Sequence, residues 1–407
     1  MPITTGLSGN EIYCLSQKKF TPGNIVVGNS VHSLGLLKTI GTGFQYILGG
    51  ELQHITQLIE EGRAAAYQRM FDEAKSANAS GITGVTSELI FHAGNIEFLS
   101  IGSMIHSENS GTKTQFTTSD NGQELFAQLD AGYQPISFVF GNVAYSLGLG
   151  GGLIGGLKTW MRGEIKEYSD MFNHTRHLAL ERIIAHAKQH NANAVLGIRT
   201  KILPFAGTNE MLMLGTASHA THQTQQVITS DLTNIEMWNL ASMGYTPLRL
   251  LLGTSVYSLG FVGGITSLLK SFVRGEINEL TKLIYDAREN ALEIINAEAR
   301  AIGADDVVGV KTYVYQLGKG LVEFLAIGTA VKKVSDVKPE SAQLPPQAII
   351  VDQDTFFDTM DPAAGMGVSI NAASKQLKTT GLGVVFGPII FFIVIVIYAI
   401  ALIYGHR

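Results

Sequence analysis

The sequence predicts an α+β protein of three tandem β-α-α-β-β units, each an antiparallel sheet packed on helices, followed by one C-terminal transmembrane helix. Three observations predict this architecture: motifs that recur at constant spacing, strand-like and helix-like patterns that alternate within each unit, and a long apolar segment near the C-terminus. A chain of 407 residues has room for several domains. The expected boundaries are repeat 1 at 1–108, repeat 2 at 120–221, repeat 3 at 232–334, a linker at 335–380 and a transmembrane helix at 381–405.

Internal repetition is visible in the motif Val31-His32-Ser33-Leu34-Gly35, which recurs as Ala144-Tyr145-Ser146-Leu147-Gly148 and Val256-Tyr257-Ser258-Leu259-Gly260. The serines of these motifs are 113 and 112 residues apart. A chance match would not keep this register along a whole unit. Two further sets of residues recur at the same spacing: Glu51, Glu164 and Glu276, and Gly84, Gly197 and Gly309.

Each unit is expected to begin with a strand, such as Gln134 to Phe140 in the second copy. This strand leads to Ser33, Ser146 or Ser258, and serine is favoured as the N-cap of a helix. A first helix is therefore predicted after each serine. We expect Glu51, Glu164 and Glu276 to lie in the first turn of a second, longer helix, where the helix dipole favours a carboxylate.

The second helix is most evident in the third copy, where apolar residues from Leu280 to Ile302 recur at helical spacing. Asn78, Asn191 and Gly303 stand at matching positions and suit the left-handed residue that ends a helix. Two β-branched and aromatic segments then predict a hairpin, for example Val307 to Tyr315 with Leu321 to Val331.

The C-terminal segment from Thr379 to Gly405 contains no charged residue. Its length exceeds the roughly 20 residues needed to cross a bilayer, so we predict a single span. The preceding Pro- and Ser-containing stretch reads as a linker that is partly ordered against the body. Because the N-terminus lacks the basic and apolar parts of a secretory signal, we expect a tail-anchored protein whose bulk lies in the cytoplasm.

Composition narrows the function classes. Charged residues make up 15% of the chain, and the net charge of −5 offers no basic footprint for nucleic acid. Cys14 is the only cysteine, which excludes an intrachain disulfide and a thiolate-rich metal site. The run Gly150 to Gly155 fits a dinucleotide pattern, but the other units break it, so no organic cofactor is expected.

The third unit carries the clearest family resemblance, in Arg274-Gly275-Glu276, Gly303-Ala304-Asp305-Asp306-Val307-Val308-Gly309-Val310 and Ile327-Gly328-Thr329-Ala330-Val331. These motifs resemble the YbjQ family, which is labelled as heavy-metal-binding. The resemblance covers about 300 residues, although Gly49 replaces the arginine found at 162 and 274. It implies dodecin-like subunits that assemble into closed pentameric rings, and hence a ring or dome built by this chain.

Histidines of the second unit are the candidate metal ligands. His174, His177, His186 and His190 fall on the predicted long helix at spacings of three and four residues, so that pairs share one face. Paired imidazoles of this kind suit a divalent transition metal. The alternative is that they are solvated helix residues, because the corresponding helix of the third unit has no histidine.

No arrangement typical of catalysis is evident in the sequence, so we do not expect an enzyme. The leading hypothesis is a non-enzymatic scaffold at the bacterial inner membrane, whose partners are its own copies and the lipid bilayer. A metal-binding or metal-sensing protein is the alternative. A third class, an enzyme acting at subunit junctions, would require a polar pocket between repeats.

Overall fold

A computed structural model describes residues 2–33, 50–92, 94–108, 116–146, 163–205, 208–221, 226–258, 278–318, 321–334 and 337–349. The predicted first helices, the Gly150–Gly155 run, Glu276 and the predicted span at 381–405 lie outside these residues. Within them, no helix has the length and apolar character required to cross a bilayer.

Three repeats follow one another along the chain, each with a short helix, a long strand, a long helix and a two-stranded hairpin in that order. The first contains α1 (Gly9–Gln17), β1 (Phe20–Ser33), β2 (Gly50–Glu51), α2 (Gln53–Ser76), β3 (Gly81–His92) and β4 (Asn95–Ser107). The second contains β5 (Phe116–Thr117), α3 (Gly122–Asp130), β6 (Tyr133–Ser146), β7 (Gly163–Glu164), α4 (Lys166–Gln189), β8 (Ala194–Phe205) and β9 (Thr208–Ala220). The third contains β10 (Ile228–Thr229), α5 (Asn234–Ser242), β11 (Tyr245–Ser258), α6 (Asn278–Ala301), β12 (Asp306–Gly318) and β13 (Leu321–Lys333), and α7 (Pro346–Ile349) follows it.

Each repeat contributes one antiparallel three-stranded core sheet, and two-residue strands link neighbouring repeats. The strand orders are β1-β4-β3-β5, β10-β8-β9-β6-β2 and β12-β13-β11-β7. The short strands β2 and β7 pair with the first long strand of the following repeat. The short strands β5 and β10 pair in parallel with the repeat that precedes them. Consecutive sheets are therefore joined at both ends.

The long helices alternate with the sheets in a layered stack. One apolar cluster joins α2 to its own sheet through Val26 and to the next sheet through Phe138 and Leu212. A second cluster places α4 in the same way between the second and third sheets. The cluster at α6 contains residues of α6 and the third sheet only. The layer order is thus sheet, α2, sheet, α4, sheet, α6.

Close approach between helix and strand requires glycine at one position of each repeat. A Cβ added at Gly28, Gly141 or Gly253 would overlap the helix backbone at the carbonyl oxygens of Ala66, Ala179 and Ala291, respectively. A hairpin strand in each repeat also has an irregularity in its pairing at a positive-φ glycine, Gly84, Gly197 or Gly309. Such bulges twist a strand, and glycine adopts the required conformation without strain.

The predicted helix ends and hairpins are confirmed. Asn78, Asn191 and Gly303 have φ values of 54°, 58° and 69° just after the long helices. Strands β12 and β13 pair as an antiparallel hairpin. The unit differs from the β-α-α-β-β prediction in its first element, because α1, α3 and α5 precede the first long strands. Capping boxes begin α1 at Ser8 and α5 at Thr233.

The predicted helical position of Glu51 and Glu164 is wrong. Both residues lie in two-residue strands, and the helices begin later, at Gln53 and Lys166. The N-cap residues Leu52 and Ile165 make no side-chain cap hydrogen bond. Pairing with the following repeat holds this segment extended. The Glu51 carboxylate forms an ion pair with Arg182 of the second repeat, and the Glu164 carboxylate accepts from the Ser169 hydroxyl near the start of α4 at 3.0 Å.

The first part of the region predicted as a linker packs against the N-terminal helices. Lys18 of α1 forms ion pairs with Asp130 at 2.8 Å and with Glu340 at 2.9 Å. The Ser341 hydroxyl donates to Asp130 at 2.8 Å. Ala348 of α7 is buried in a cluster with Cys14 and Phe126. Residues 337–349 therefore connect the end of the third repeat to the helices of the first two.

Candidate functional site: the junctions between repeats

The junction between repeats 1 and 2 contains a buried ion pair. Arg63 of α2 and Glu210 of β9 both have fully buried side chains, and Nη2 of the arginine lies 2.9 Å from Oε2 of the glutamate. Nε of Arg63 donates to Oε1 at 3.3 Å, so the contact is bidentate. The Ser87 hydroxyl accepts a further hydrogen bond from Arg63 at 2.9 Å. These bonds replace the water that burial removes from both charges.

The junction between repeats 2 and 3 repeats this ion pair. Nη2 of Arg176, in α4, lies 2.6 Å and 2.8 Å from the two carboxylate oxygens of Glu323, in β13. The Tyr145 hydroxyl accepts from the same guanidinium at 3.4 Å. Burial disfavours the charged arginine, but Glu323 outweighs it and raises the pKa of Arg176. The pair is 113 residues along from Arg63 and Glu210, so it is the same contact made one repeat later.

A hydroxyl group binds the backbone at the equivalent place in each junction. The Thr56 hydroxyl accepts from the backbone N–H of Ala144 at 2.9 Å. The Ser169 hydroxyl accepts from the backbone N–H of Val256 at 2.8 Å. Glu51 adds an ion pair with Arg182 at 2.7 Å. Each junction therefore combines apolar packing, a short strand pair and a buried ion pair. In both ion pairs the arginine belongs to the earlier repeat and the glutamate to the later one.

The stack ends in the sheet of the first repeat, which we call sheet 1, and in α6. Both ends expose surfaces whose equivalents are buried between the repeats. Val27 and Val31 of β1 are 46% and 58% exposed, whereas their equivalents in β6 and β11 are buried. Ile284 of α6 is 43% exposed, whereas Phe172 at the equivalent position of α4 is fully buried. The outer face of sheet 1 and the outer face of α6, which we call the two end faces, are thus the two halves of a junction.

A polar cavity of about 260 Å³ lies where the second and third repeats meet, and it is lined by Asp120, Glu124, Arg199, Asp231 and Lys311, among others. Asp120 accepts from the hydroxyls of Thr118 and Thr216, while burial raises its pKa. Burial, reinforced by the charge of Asp120, raises the pKa of Glu124 to about 7. The cavity therefore holds two carboxyl groups with raised pKa values beside the basic residues Arg199 and Lys311.

Three of the four predicted metal ligands lie on α4 and His190 is its C-cap residue, but the structure does not gather them at one place. His174 is exposed. The Glu298 carboxylate of α6 accepts a hydrogen bond from Nε2 of His177 at 2.6 Å, across the junction. The rings of His186 and His190 lie 5.5 Å apart between centroids, one turn from each other. Burial is the main cause that lowers the pKa of both, which favours the neutral, ligand-competent imidazole.

Within the described ranges, no group of three or more His, Cys, Asp or Glu side chains is arranged to hold a metal ion. The sequence reasoning also did not single out the junction arginines. A signal was present, because Arg63, Arg176 and Arg288 recur at the repeat spacing alongside Glu97, Glu210 and Glu323. The pattern alone could not tell that the arginine of one repeat meets the glutamate of the next.

Comparison with known proteins supports the repeated unit. The family model YbjQ, described as "Putative heavy-metal-binding", matches three times, at residues 17–103, 132–221 and 242–334. An encapsulin nanocompartment protein of Mycobacterium tuberculosis is 37% identical over 119 residues, covering 28% of this chain and 43% of that protein. A UPF0145 protein of Thermoplasma acidophilum is 39% identical over 79 residues, covering 19% of this chain and 66% of that protein. A UPF0145 protein of Acinetobacter baylyi is 36% identical over 97 residues, with coverages of 24% and 83%.

Proposed function

The chain belongs to the YbjQ family through three tandem copies of its unit, and on that premise we propose that it is a non-enzymatic scaffold. In this proposal, copies of the chain assemble into a cyclic ring or dome on the cytoplasmic face of a bacterial membrane, held there by the C-terminal segment. The observation that supports self-assembly is the pair of exposed end faces, whose equivalents are buried twice inside the chain.

The chemistry of the end faces favours association. Val27, Val31 and Ile284 are exposed, and each stands at a position that an inner repeat fills with a buried side chain. Exposed apolar surface of this kind commonly marks an interaction site. The two end faces differ from each other, so the contact between copies is head to tail, and such contacts give closed rings when the rotation per copy closes.

Membrane attachment rests on the sequence from Thr379 to Gly405, which has no charged residue and is long enough to cross a bilayer. A ring whose copies each carry one span would be held to the membrane at many points.

Mass photometry and blue-native electrophoresis of the full-length protein in mild detergent test the assembly. We expect a discrete species that contains several copies of the 43.8 kDa chain. Exclusively single chains at micromolar concentration would refute the scaffold. Membrane flotation of the intact chain beside a variant truncated after Lys378 tests the anchor, and equal flotation of the two would remove it.

Metal binding is the second candidate function, favoured by one specific observation. His186 and His190 lie one helical turn apart with ring centroids 5.5 Å from each other. Side chains four residues apart on a helix can share one divalent transition metal, to which further ligands or water complete the coordination.

Calorimetric titration with zinc, copper and nickel tests this candidate. We expect binding heat for the unchanged protein and its loss in a His186→Ala/His190→Ala variant. A His174→Ala variant is the matched control, because His174 is an exposed histidine of the same helix. Equal heats for all three proteins would exclude the His186–His190 pair as the site.

A further inference from the structure

We infer that Arg288 of one copy and Glu97 of the next copy form the third, intermolecular Arg–Glu pair, so that α6 of one chain packs beneath sheet 1 of another. The inference rests on the proposed self-assembly and identifies its contact. It depends on a simple count: three arginines and three glutamates occupy equivalent positions, and the chain pairs two of each with one another. Arg288 and Glu97 remain at opposite ends of the stack.

Arg288 stands where Arg63 and Arg176 stand on their helices. Those two arginines are fully buried beneath the following sheet, whereas Arg288 is exposed on the outer face of α6. Its guanidinium carbon lies 5.4 Å from the ring centre of Tyr285, at a distance at which the ring holds the charge near the helix surface. Arg63 and Arg176 likewise lie over aromatic rings, those of Phe98 and Tyr145.

Two neighbouring side chains orient the carboxylate of Glu97. Asn29 donates to its Oε1 at 3.0 Å, and His92 Nε2 lies 2.7 Å from its Oε2. The hydrogen bond from His92 is the largest cause that holds the pKa of Glu97 below its usual value, so the carboxylate is ionised at neutral pH. Glu210 and Glu323, its equivalents, are fully buried against arginine.

The remaining junction contacts also have equivalents at the two ends. Thr281 of α6 corresponds to Thr56 and Ser169, and the backbone N–H that it would bind belongs to Val31 of the neighbouring copy. Ile3 and Thr4 correspond to the strand residues Phe116 and Thr117, which pair with Gly81 and Ile82. By the same register, Ile3 of one copy would lie beside Asp306 of the copy before it. The apolar packing, the hydroxyl hydrogen bond, the strand pair and the ion pair would therefore all join the third repeat of one copy to the first repeat of the next.

Charge reversal tests the pair in the full-length protein. We expect Arg288→Glu and Glu97→Arg each to weaken association by ~100-fold or more, since removing one partner leaves a buried charge uncompensated. Arg288 is exposed, so its variant should match the unchanged protein in circular dichroism and thermal melting; the Glu97 side chain is 18% exposed, so circular dichroism of the Glu97→Arg variant checks that the fold is kept. Lys332→Glu, an exposed cation of β13 away from the end faces, is the matched control and should assemble normally.

Mixing the two variants distinguishes a specific contact from general repulsion. An Arg288→Glu chain has an acid at both positions and a Glu97→Arg chain has a base at both positions, so every contact between the two variants joins opposite charges, whereas contacts between like chains join equal charges. We expect assemblies that contain the two variants in equal numbers by mass photometry in the mixture, and none in either variant alone. No complex in the mixture, or assembly of either variant alone, would overturn the inference.

Cysteine cross-linking tests the register. An Ile3→Cys/Asp306→Cys chain should give a ladder of covalent multimers on oxidation, whereas Ile3→Cys alone should not. Ala194→Cys/Ile228→Cys places the same strand pair inside one chain and should close without a ladder. Burial raises the pKa of Cys14 to about 11, so this thiol contributes little background. Discrete oligomers that neither cross-link nor respond to charge reversal would refute this contact and leave the scaffold intact; single chains throughout would refute both.

Discussion

Arg176 and Glu323, which belong to consecutive repeats, form a bidentate ion pair in which both side chains are fully buried. The pair connects a helix to the next sheet rather than two parts of one repeat. Its neighbours include the Tyr145 hydroxyl, which accepts from the same guanidinium. The junctions between repeats are therefore as dry and as specific as the interior of a domain, and they carry predictions of their own.

Removal of Arg176 should destabilise the protein strongly. Arg176→Met leaves Glu323 charged and buried, and we expect a loss of about 3–5 kcal/mol in the free energy of unfolding. Arg176→Met/Glu323→Leu removes both charges and should recover most of that loss. Guanidinium denaturation followed by tryptophan fluorescence and circular dichroism measures both. Arg288→Met, the same change at the exposed equivalent, should alter the unfolding of dispersed chains by less than about 0.5 kcal/mol.

Substitution of Gly141 should disturb the contact between α4 and β6. A Cβ at this position would overlap the carbonyl oxygen of Ala179, so helix and strand must separate. We expect Gly141→Ala to cost about 1–3 kcal/mol, the range found for overpacked cores. Gly9→Ala is the control, because a Cβ there meets nothing within 4 Å. A Gly141→Ala protein with an unchanged thermal midpoint would contradict the close packing.

His177 should give the junction between repeats 2 and 3 a pH dependence. The hydrogen bond to Glu298 is the largest cause that raises the pKa of His177, while burial and, to a smaller extent, the charge of Arg249 oppose it. Because the folded pKa exceeds the unfolded value of about 6.5, the stabilisation is complete below that pH and disappears as the pH rises through the folded pKa. The difference in Tm between the unchanged protein and His177→Gln should therefore be largest near pH 6 and smallest near pH 9. A constant difference would exclude this contribution.

Glu124 should act in the same sense as His177, because its pKa is also raised in the folded state. Burial raises its pKa from 4.5 to about 7, so the folded state holds a proton that the unfolded state has lost in this window. Stability should fall as the pH rises from about 4.5 to 7, and Glu124→Gln should remove this fall. We expect the variant to gain about 3 kcal/mol relative to the unchanged protein between pH 4.5 and 8. Glu181→Gln, on an exposed part of α4, is the control with the same chemical change.

The sequence predicted the repeated unit well because its signals are local. Asn78 and Asn191 end helices in the left-handed conformation that their position indicated, and the hairpin of β12 and β13 follows from β-branched segments around a glycine turn. The short helices α1, α3 and α5 were missed, although the pattern from Ser8 to Glu11 is that of a capping box. Nine residues give little periodicity, so capping was the main signal.

The junctions could not be predicted because they depend on how the repeats stack. Glu51 follows a glycine and precedes a helix, a context that also suits a first-turn carboxylate. It is the pairing of β2 with β6 that keeps Glu51 extended and brings it to Arg182. The histidines present the same difficulty, since spacing on α4 indicated a shared face but not that Glu298 of another helix engages His177.

Fusion of three units into one chain changes what the concentration of the protein can control. In an assembly of single units every contact forms and dissociates by mass action, whereas here the two inner contacts are joined covalently and can open only by partial unfolding. One contact in three then decides whether chains are separate or assembled. Any ring closed through the end faces must also contain a number of units divisible by three. The covalent fusion therefore restricts the sizes that such a ring can take.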